Sequence, residues 1–363
     1  MNSDSTNNAA SAIDGCTAAL RVNQFRWLVT GGAGFIGSHL VQRLLELNQV
    51  VTSVDNFANG RRANLEDIAT AVGPHRAHAH HFVEGDIRDS ELCMHLCQNV
   101  DFVLHQAALG SVSRSIEDPM GVHRVNVNGF LNMLMAARQA GVRRFIYAAS
   151  SAIYGDYLDL PKVEHVIGNP LSPYAATKFI NEIYAGVFAR CYGVTSIGLR
   201  YFNVFGARQD PNGPYSAVIP RWIAALLRGE RVVINGDGET TRDFCYVQNV
   251  VQANLLAAMT DAPQALNQVF NIAVGQRTSL NDLLRLLRRM LKELGHEPEN
   301  PAVLHVEARA GDIRDSLADI TKASVALGYR PSYTLGSGLQ EAMSWFVRNL
   351  GPHSANPGAQ RFT

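Results

Sequence analysis

Short runs of β-branched and aromatic residues alternate along this chain with longer stretches whose apolar positions recur every three or four residues. RWLVT (26–30) is followed by FIGSHLVQRLLEL (35–47), VVTSVD (50–55), DFVLHQAA (101–108), VNVNGFLNMLMAARQAG (125–141) and RFIYAAS (144–150). A strand period that switches to a helix period and back marks βαβ units, and strands apolar on both faces imply a buried parallel sheet. The expected fold is α/β, a doubly wound parallel sheet. After about Asn203 the regularity loosens, where Pro211, Gly213, Pro214 and Pro220 punctuate a long connection before IPRWIAALLRG (219–229). Such connections commonly sit over a binding site. The remaining elements, VVING, DFCYV, NVVQANLLAAM, VFNIA, LNDLLRLLRRMLKEL and LQEAMSWFVRNL, read as a smaller C-terminal α/β lobe.

Residues 1–24 and 351–363 are rich in small and polar residues without an amphipathic period, and are expected to be mobile tails. Of the 363 residues 47% are hydrophobic and 18% charged, the mix of a folded globular protein. Lys plus Arg and Asp plus Glu balance at 32 each, which removes the electrostatic footprint of a nucleic-acid binder. Cys16, Cys93, Cys97, Cys191 and Cys245 show no CxxC pair and read as reduced, mostly structural thiols. No apolar run reaches the roughly 18 residues of a membrane span, and no basic segment precedes an apolar leader. A cytoplasmic protein without membrane partners is expected. His75, His78, His80 and His81 cluster without an acidic or cysteine set, so no metal site is assigned to them.

The segment Thr30-Gly31-Gly32-Ala33-Gly34-Phe35-Ile36-Gly37 follows the first strand and opens the first helix. In that context Gly31 permits a tight turn, Gly34 lets backbone approach a pyrophosphate, and Gly37 lets helix pack on strand. Phe35 and Ile36 begin the helix whose N-terminus favours the anion. This is a Rossmann-type dinucleotide site. Asp55 ends the second strand about 20 residues on, where a carboxylate accepts from both ribose hydroxyls and repels a 2′-phosphate, so NAD is favoured over NADP. Residues 25–200 are accordingly read as mainly the NAD-binding domain, with the catalytic residues. Residues 201–350 are read as mainly a substrate-binding lobe interleaved with the same sheet.

Tyr174 and Lys178 stand at i and i+4, one turn apart on one helix face. A cationic Lys178 beside the positive nicotinamide ring would lower the phenol's pKa, so that it exchanges the proton of a reacting alcohol. The strand RFIYAAS ends in Ser150-Ser151 at the carboxyl edge, where doubly wound sheets place their ligands, and a serine there can bond the same hydroxyl.

Together the glycine loop, Ser150-Ser151-Ala152-Ile153-Tyr154-Gly155 and Tyr174-x-x-x-Lys178 resemble the extended short-chain dehydrogenase/reductase family, in particular its nucleotide-sugar 4-epimerases, from Phe25 to Leu350. The nearest likeness is to UDP-N-acetylglucosamine 4-epimerases of bacterial surface-polysaccharide synthesis. The resemblance implies Ser150 as the catalytic hydroxyl, with Ser151 at the sugar and Lys178 on the nicotinamide ribose. It further implies cofactor contacts at Asn56, Phe57, Gly60, Asp86, Ile87, Gln106, Ala107, Ala108 and Asn126. On the substrate side it implies Tyr201, Asn203, the uridine wall Val218 and Ile219, and a clamp of Arg242, Arg309 and Asp312. It also implies a homodimer through the helices 126–140 and 174–192.

A dehydratase of this family carries Asp-Glu after the catalytic hydroxyl, and here Ser151 and Ala152 stand there. An NAD-binding scaffold that had lost its chemistry would not need Ser150, Tyr174 and Lys178 together. Reversible C4 epimerisation of UDP-N-acetylglucosamine and UDP-N-acetylgalactosamine, through a 4-keto sugar, is therefore expected. The alternatives are the UDP-glucose/UDP-galactose pair and a UDP-uronic acid epimerase or decarboxylase. The resemblance places Ser316 beside the C2 substituent, where a small side chain admits an N-acetyl group. Gly110 and Ser111 in the hydroxyl-rich loop 109–115, with Ser151 and Gln209, are similar to the N-acetyl-preferring subgroup.

Overall fold

The computed structural model describes residues 4–211, 217–296, 302–307 and 314–351. Its strands in chain order are β1 (Arg26–Thr30), β2 (Val50–Asp55), β3 (His80–Glu84), β4 (Phe102–His105), β5 (Arg144–Ser150) and β6 (Ser196–Tyr201). The short β7 (Val204–Phe205), β8 (Val232–Asn235), β9 (Thr241–Arg242) and β10 (Cys245–Tyr246) follow, then β11 (Val269–Ile272), β12 (Thr278–Ser279) and β13 (Val303–Val306). Seven of them form one parallel sheet in the order β11-β6-β5-β4-β1-β2-β3. This is the Rossmann-type sheet that the alternating pattern predicts.

All residues of β4 and β6 are buried, as are Trp27 to Thr30 of β1, because helices cover both faces. Trp27 stacks on Phe102 with ring centroids 4.6 Å apart and anchors that core. The chain order reverses between β1 and β4, so the connections leave these strands in opposite directions and open a crevice at their carboxyl ends.

A second core lies under the C-terminal helices Val218–Leu227, Leu280–Glu293 and Leu335–Leu350, with Trp222, Ile223, Leu283, Leu287, Leu291 and Phe346 buried together. The short pairs β7 with β10, β9 with β12 and β8 with β13 form three separate two-stranded sheets. The helix expected over 125–141 begins with a wider π turn, Arg124–Gly129, before the α-helix Phe130–Gln139. That turn carries Asn126 into the interior. Among the described residues no helix is long and apolar enough to cross a membrane.

The expectation of a mobile tail over residues 1–24 is corrected. A helix runs Asp4–Val22, and Cys16 and Leu20 are buried against the main core, with Ala12 and Ile13 packed beside them. Spacings of three, four and seven residues among positions 13, 16 and 20 form an apolar stripe, which the surrounding Asn, Ser and Asp obscure. The tail expected over 351–363 lies outside the described residues apart from Gly351.

Gln49, fully buried, fastens this helix to the sheet. Its amide nitrogen donates to the carbonyls of Leu20, Asn23 and Leu47, while its oxygen accepts from the Phe25 N–H at 2.9 Å and the Trp27 indole N–H at 3.0 Å. Such a residue is stabilising only while every partner is satisfied. Replacing it by leucine, Gln49→Leu, keeps the bulk and orphans those groups. The unfolding free energy in urea should fall by about 2–4 kcal/mol. A fall below about 0.5 kcal/mol, the range of an ordinary surface substitution, would show that the clamp contributes little.

Candidate active site

The crevice between β1 and β4 holds a cavity of about 360 Å³. Its wall includes Gly31, Gly34, Phe35, Ile36, Gly37, Asp55, Asn56, Gly60, Asp86, Ile87, Gln106, Ala107 and Ala108, so most residues expected at the cofactor converge there. Gly31 has φ +71°, and a Cβ on it would stand 2.9 Å from the Ala107 nitrogen. A Cβ on Gly37 would stand 2.0 Å from the Gly31 carbonyl oxygen. The turn therefore works only with hydrogen at both positions. No side chain caps the helix Phe35–Glu46 and no acid stands in its first turn, so its N-terminus faces the cavity as a site for an anion.

The Asp55 carboxylate accepts from the Phe57 N–H at 2.8 Å and the Ala33 N–H at 3.1 Å, which ties the glycine turn to the end of β2. Burial raises its pKa, opposed by those backbone N–H groups. Asp86 accepts from Asn56 at 2.7 Å and from Arg88, and the Arg88 guanidinium holds its carboxyl down at about 2. Arg62, exposed, pairs with Glu84, and Arg61 pairs with Asp210 at 3.9 Å. The donor set fits a dinucleotide: backbone N–H groups for the pyrophosphate and a strand-end acid for the ribose.

Ser172 caps the helix Pro173–Tyr192 by accepting from the Ala175 N–H, Pro173 opens it, and Gly193 ends it at φ +69°. These stops place Tyr174 in the first turn and Lys178 one turn on. Ser150, at the end of β5, accepts from the Ala152 N–H at 3.1 Å. Burial raises the Tyr174 pKa, and the nearby Ser150 hydroxyl opposes that rise. Lys178 is buried, donates to the Ala148 carbonyl at 2.8 Å, and is pushed down to about 8 by desolvation. Asn126 links this helix to the cofactor cavity. It donates to Thr177 and the Leu109 carbonyl and accepts from the Leu109 N–H at 2.8 Å.

Several residues stand elsewhere than the resemblance implies. Asn126 is buried and spends its amide on Leu109 and Thr177, outside the cavity wall. Phe57 packs on Phe82 under Arg62. Tyr201 is buried, with its hydroxyl donating to Gln106 at 3.1 Å and accepting from Asn254 at 2.9 Å, so it steadies the cofactor wall from behind. Ser111 caps the helix Val112–Glu117, and Gly110 lines the cofactor cavity. Asn126 and Ser111 are drawn to backbone groups that they satisfy, Tyr201 to two buried amides and Phe57 to a neighbouring ring.

A second cavity, of about 250 Å³, brings together Asn203, Val218, Ile219 and Arg242, with Trp222 and Phe244 as walls that the sequence reading omits. The Asn203 amide donates to the Asp243 carbonyl, and Arg242 donates to the carbonyls of Thr241 and Arg314. Asp243 is buried and accepts from the N–H groups of Val274, Gly275 and Ala318, and desolvation pushes its carboxyl up to about 6. Half-buried Ser316 lies between Asp315, which accepts from the Thr241 hydroxyl at 2.6 Å, and Ala318. The Gln209 amide nitrogen donates to Val204, while its buried oxygen has no partner among the described residues. Half-buried Ser151 opens the short turn after Ser150. Arg309 and Asp312 lie outside the described residues. Asn254 also went unread, because one amide in the apolar run NVVQANLLAAM carries no spacing signal. Among the described residues no three His, Cys, Asp or Glu side chains gather as metal ligands.

The family model described as the NAD dependent epimerase/dehydratase family matches residues 27–273. A putative UDP-glucose 4-epimerase of Methanocaldococcus jannaschii is 37% identical over 324 residues, covering 89% of this chain and 98% of that protein. The UDP-glucose 4-epimerase of Thermotoga maritima, solved with UDP-glucose, is 38% identical with a TM-score of 0.81, covering 90% of this chain and 99% of that one. A UDP-N-acetylglucosamine 4-epimerase from Methanobrevibacter ruminantium M1, solved in complex with UDP-N-acetylmuramic acid, is 36% identical with a TM-score of 0.81 and the same coverage.

Proposed function

The chain belongs to the NAD dependent epimerase/dehydratase family, and from that premise we propose that it inverts C4 of UDP-N-acetylglucosamine, in equilibrium with UDP-N-acetylgalactosamine. One observation carries the reaction type: Tyr174, with the Ser150 hydroxyl near enough to lower its pKa, stands one turn from a buried lysine on a helix that Asn126 ties to the cofactor cavity. NAD held by the glycine turn and Asp55 would supply a hydride acceptor at C4 that is restored within each turnover, so no external reductant would be needed.

Tyr174 removes the 4-hydroxyl proton and gives it back after the sugar has turned. Ser150 holds the reacting oxygen in line through its remaining hydroxyl capacity. The phenol of the free protein is raised by burial, so its activation depends on a positive charge nearby, and Lys178 supplies one below about pH 8. No Asp-Glu pair follows Ser150, which argues against elimination of water.

Two features support the N-acetylated substrate and the assembly. Ser316 is a small side chain on the segment beside Arg242, and the resemblance puts that position at the C2 substituent, where a bulky residue would exclude an acetamido group. Met135, Ile183, Tyr184 and Tyr192 are large, exposed and apolar on the two helices expected to pair across a two-fold axis. A second copy of the chain is the partner that fits. A cytoplasmic location goes with this reading, where the free cysteines stay reduced.

Tyr174→Phe should keep fold and bound NAD while turnover drops by about 10²–10⁴-fold; near-normal rates of UDP-sugar interconversion would refute the assignment of the base. For Ser316→Tyr, kcat/KM should fall at least about tenfold for the N-acetylated pair and stay near wild type for UDP-glucose and UDP-galactose, since overpacking costs about 1–3 kcal/mol. A wild type preferring UDP-glucose, with a variant that keeps its N-acetyl activity, would overturn the substrate assignment. Light scattering at micromolar concentration should give twice the chain mass, and a monomer there rejects the dimer.

A further inference from the structure

We propose that Arg208 is a positioning residue: it clamps the loop after β7 to the first cofactor helix and so registers the nucleotide-sugar pocket against the NAD-binding half. The inference rests on the functional reading above for the identity of the ligand, and on geometry for the clamp.

The loop is held at successive residues. The Arg208 guanidinium, only 7% exposed, donates to the Ser38 carbonyl at 3.3 Å and to Gln42 Oε1 at 2.6 Å, and approaches Asp67 at 3.5 Å. One residue earlier, the Ala207 carbonyl bonds His39 Nε2 at 3.0 Å. Gln248 lies 3.4 Å from the other ring nitrogen with a donor amide, so Nδ1 accepts and Nε2 carries the proton. Two residues later, Asp210 pairs with Arg61. Ser38, His39 and Gln42 all belong to the helix Phe35–Glu46, whose N-terminus faces the cofactor cavity.

Both ends of that loop build the second cavity. Asn203, Val204 and Phe205 precede it and Ala217, Val218 and Ile219 follow it, all in the wall. Arg208 and Asp210 themselves border the cofactor cavity. A displacement of residues 207–210 therefore moves the nucleotide wall relative to the nicotinamide side. The backbone shows what the clamp holds, since Asn203 has φ +32° and Arg208 has φ +66°, in a region that side chains other than glycine rarely adopt. Conformations of that kind persist when surrounding contacts over-determine them. The three acceptors lie in different directions, a geometry that a guanidinium fork satisfies and an ammonium does not.

Arg208→Lys keeps the charge and loses the fork. Titration with UDP alone reads the pocket without requiring turnover. Wild-type UDP affinity thus reports on the functional reading, and the ratio of variant to wild type reports on the clamp. The variant should bind UDP about tenfold more weakly and show a similar rise in KM, with any loss of bound NAD per chain clearly smaller than the loss of UDP affinity. Unchanged UDP affinity would overturn the proposal. So would a loss of NAD parallel to the loss of UDP, which would make Arg208 a cofactor ligand or a general fold element. Asp67→Asn, at the half-exposed partner, is the milder companion. It should weaken UDP binding by about two- to threefold with the melting temperature held, and no change there counts against the clamp.

Discussion

The Gly31 carbonyl lies so close to Gly37 that a single added carbon would meet it at 2.0 Å. That contact fixes how the helix Phe35–Glu46 leaves the first strand, and the rest of the molecule is arranged around the consequence. With the helix held there, its N-terminus opens on the crevice where strand order reverses, and backbone N–H groups take the place that cationic side chains would otherwise fill. Asp55 completes the arrangement from the neighbouring strand by bonding the same turn. A cofactor bound in this way meets little side-chain chemistry, so the chain's reactive groups must be delivered from the other side of the sheet.

They are delivered by one helix and one strand end, held by polar groups buried away from the reaction. Arg200 and Glu182 form a buried pair at 2.8 Å, and Arg200 also donates to the Tyr154 hydroxyl, which in turn donates to Asn271. The network ties the catalytic helix, β6, β11 and the turn after Ser150 into one body. A buried ion pair of this kind is weak evidence for stability, because desolvation offsets much of the attraction. Its value here is geometric: Glu182 lies one turn beyond Lys178, and Tyr154 lies four residues beyond Ser150. Asn126 does the same on the cofactor side and Asn254 behind Gln106.

The electrostatics follow from that burial. Desolvation raises Tyr174 and lowers Lys178 toward about 8, so each is moved toward its neutral form in the free protein. Burial thus holds the phenol protonated, and a positive charge brought into the cavity would tip it toward release of its proton.

Patterns that depend on neighbours in sequence were legible before any coordinates. The strand and helix periods, the glycine turn and the Tyr174–Lys178 spacing each act over a few residues, so the text alone determines them. The glycines and Asp55 were legible as one site from the strand–turn–helix spacing, whereas Gln106 was placed there by the resemblance and the strand order of the fold brings all of them to one crevice. Tertiary structure decided what depends on distant partners. The N-terminal segment is a packed helix because Gln49, beyond the first strand, fastens it. Tyr201, Asn126 and Phe57 turn away from the ligand cavities because buried backbone, amides or rings claim them. Asn254 and Arg208 gain their roles from residues 148 and 166 positions away in the chain. Local propensity acts through the backbone's own neighbours, whereas the satisfaction of a buried polar group depends on whatever the fold brings beside it, and no spacing in the sequence records that.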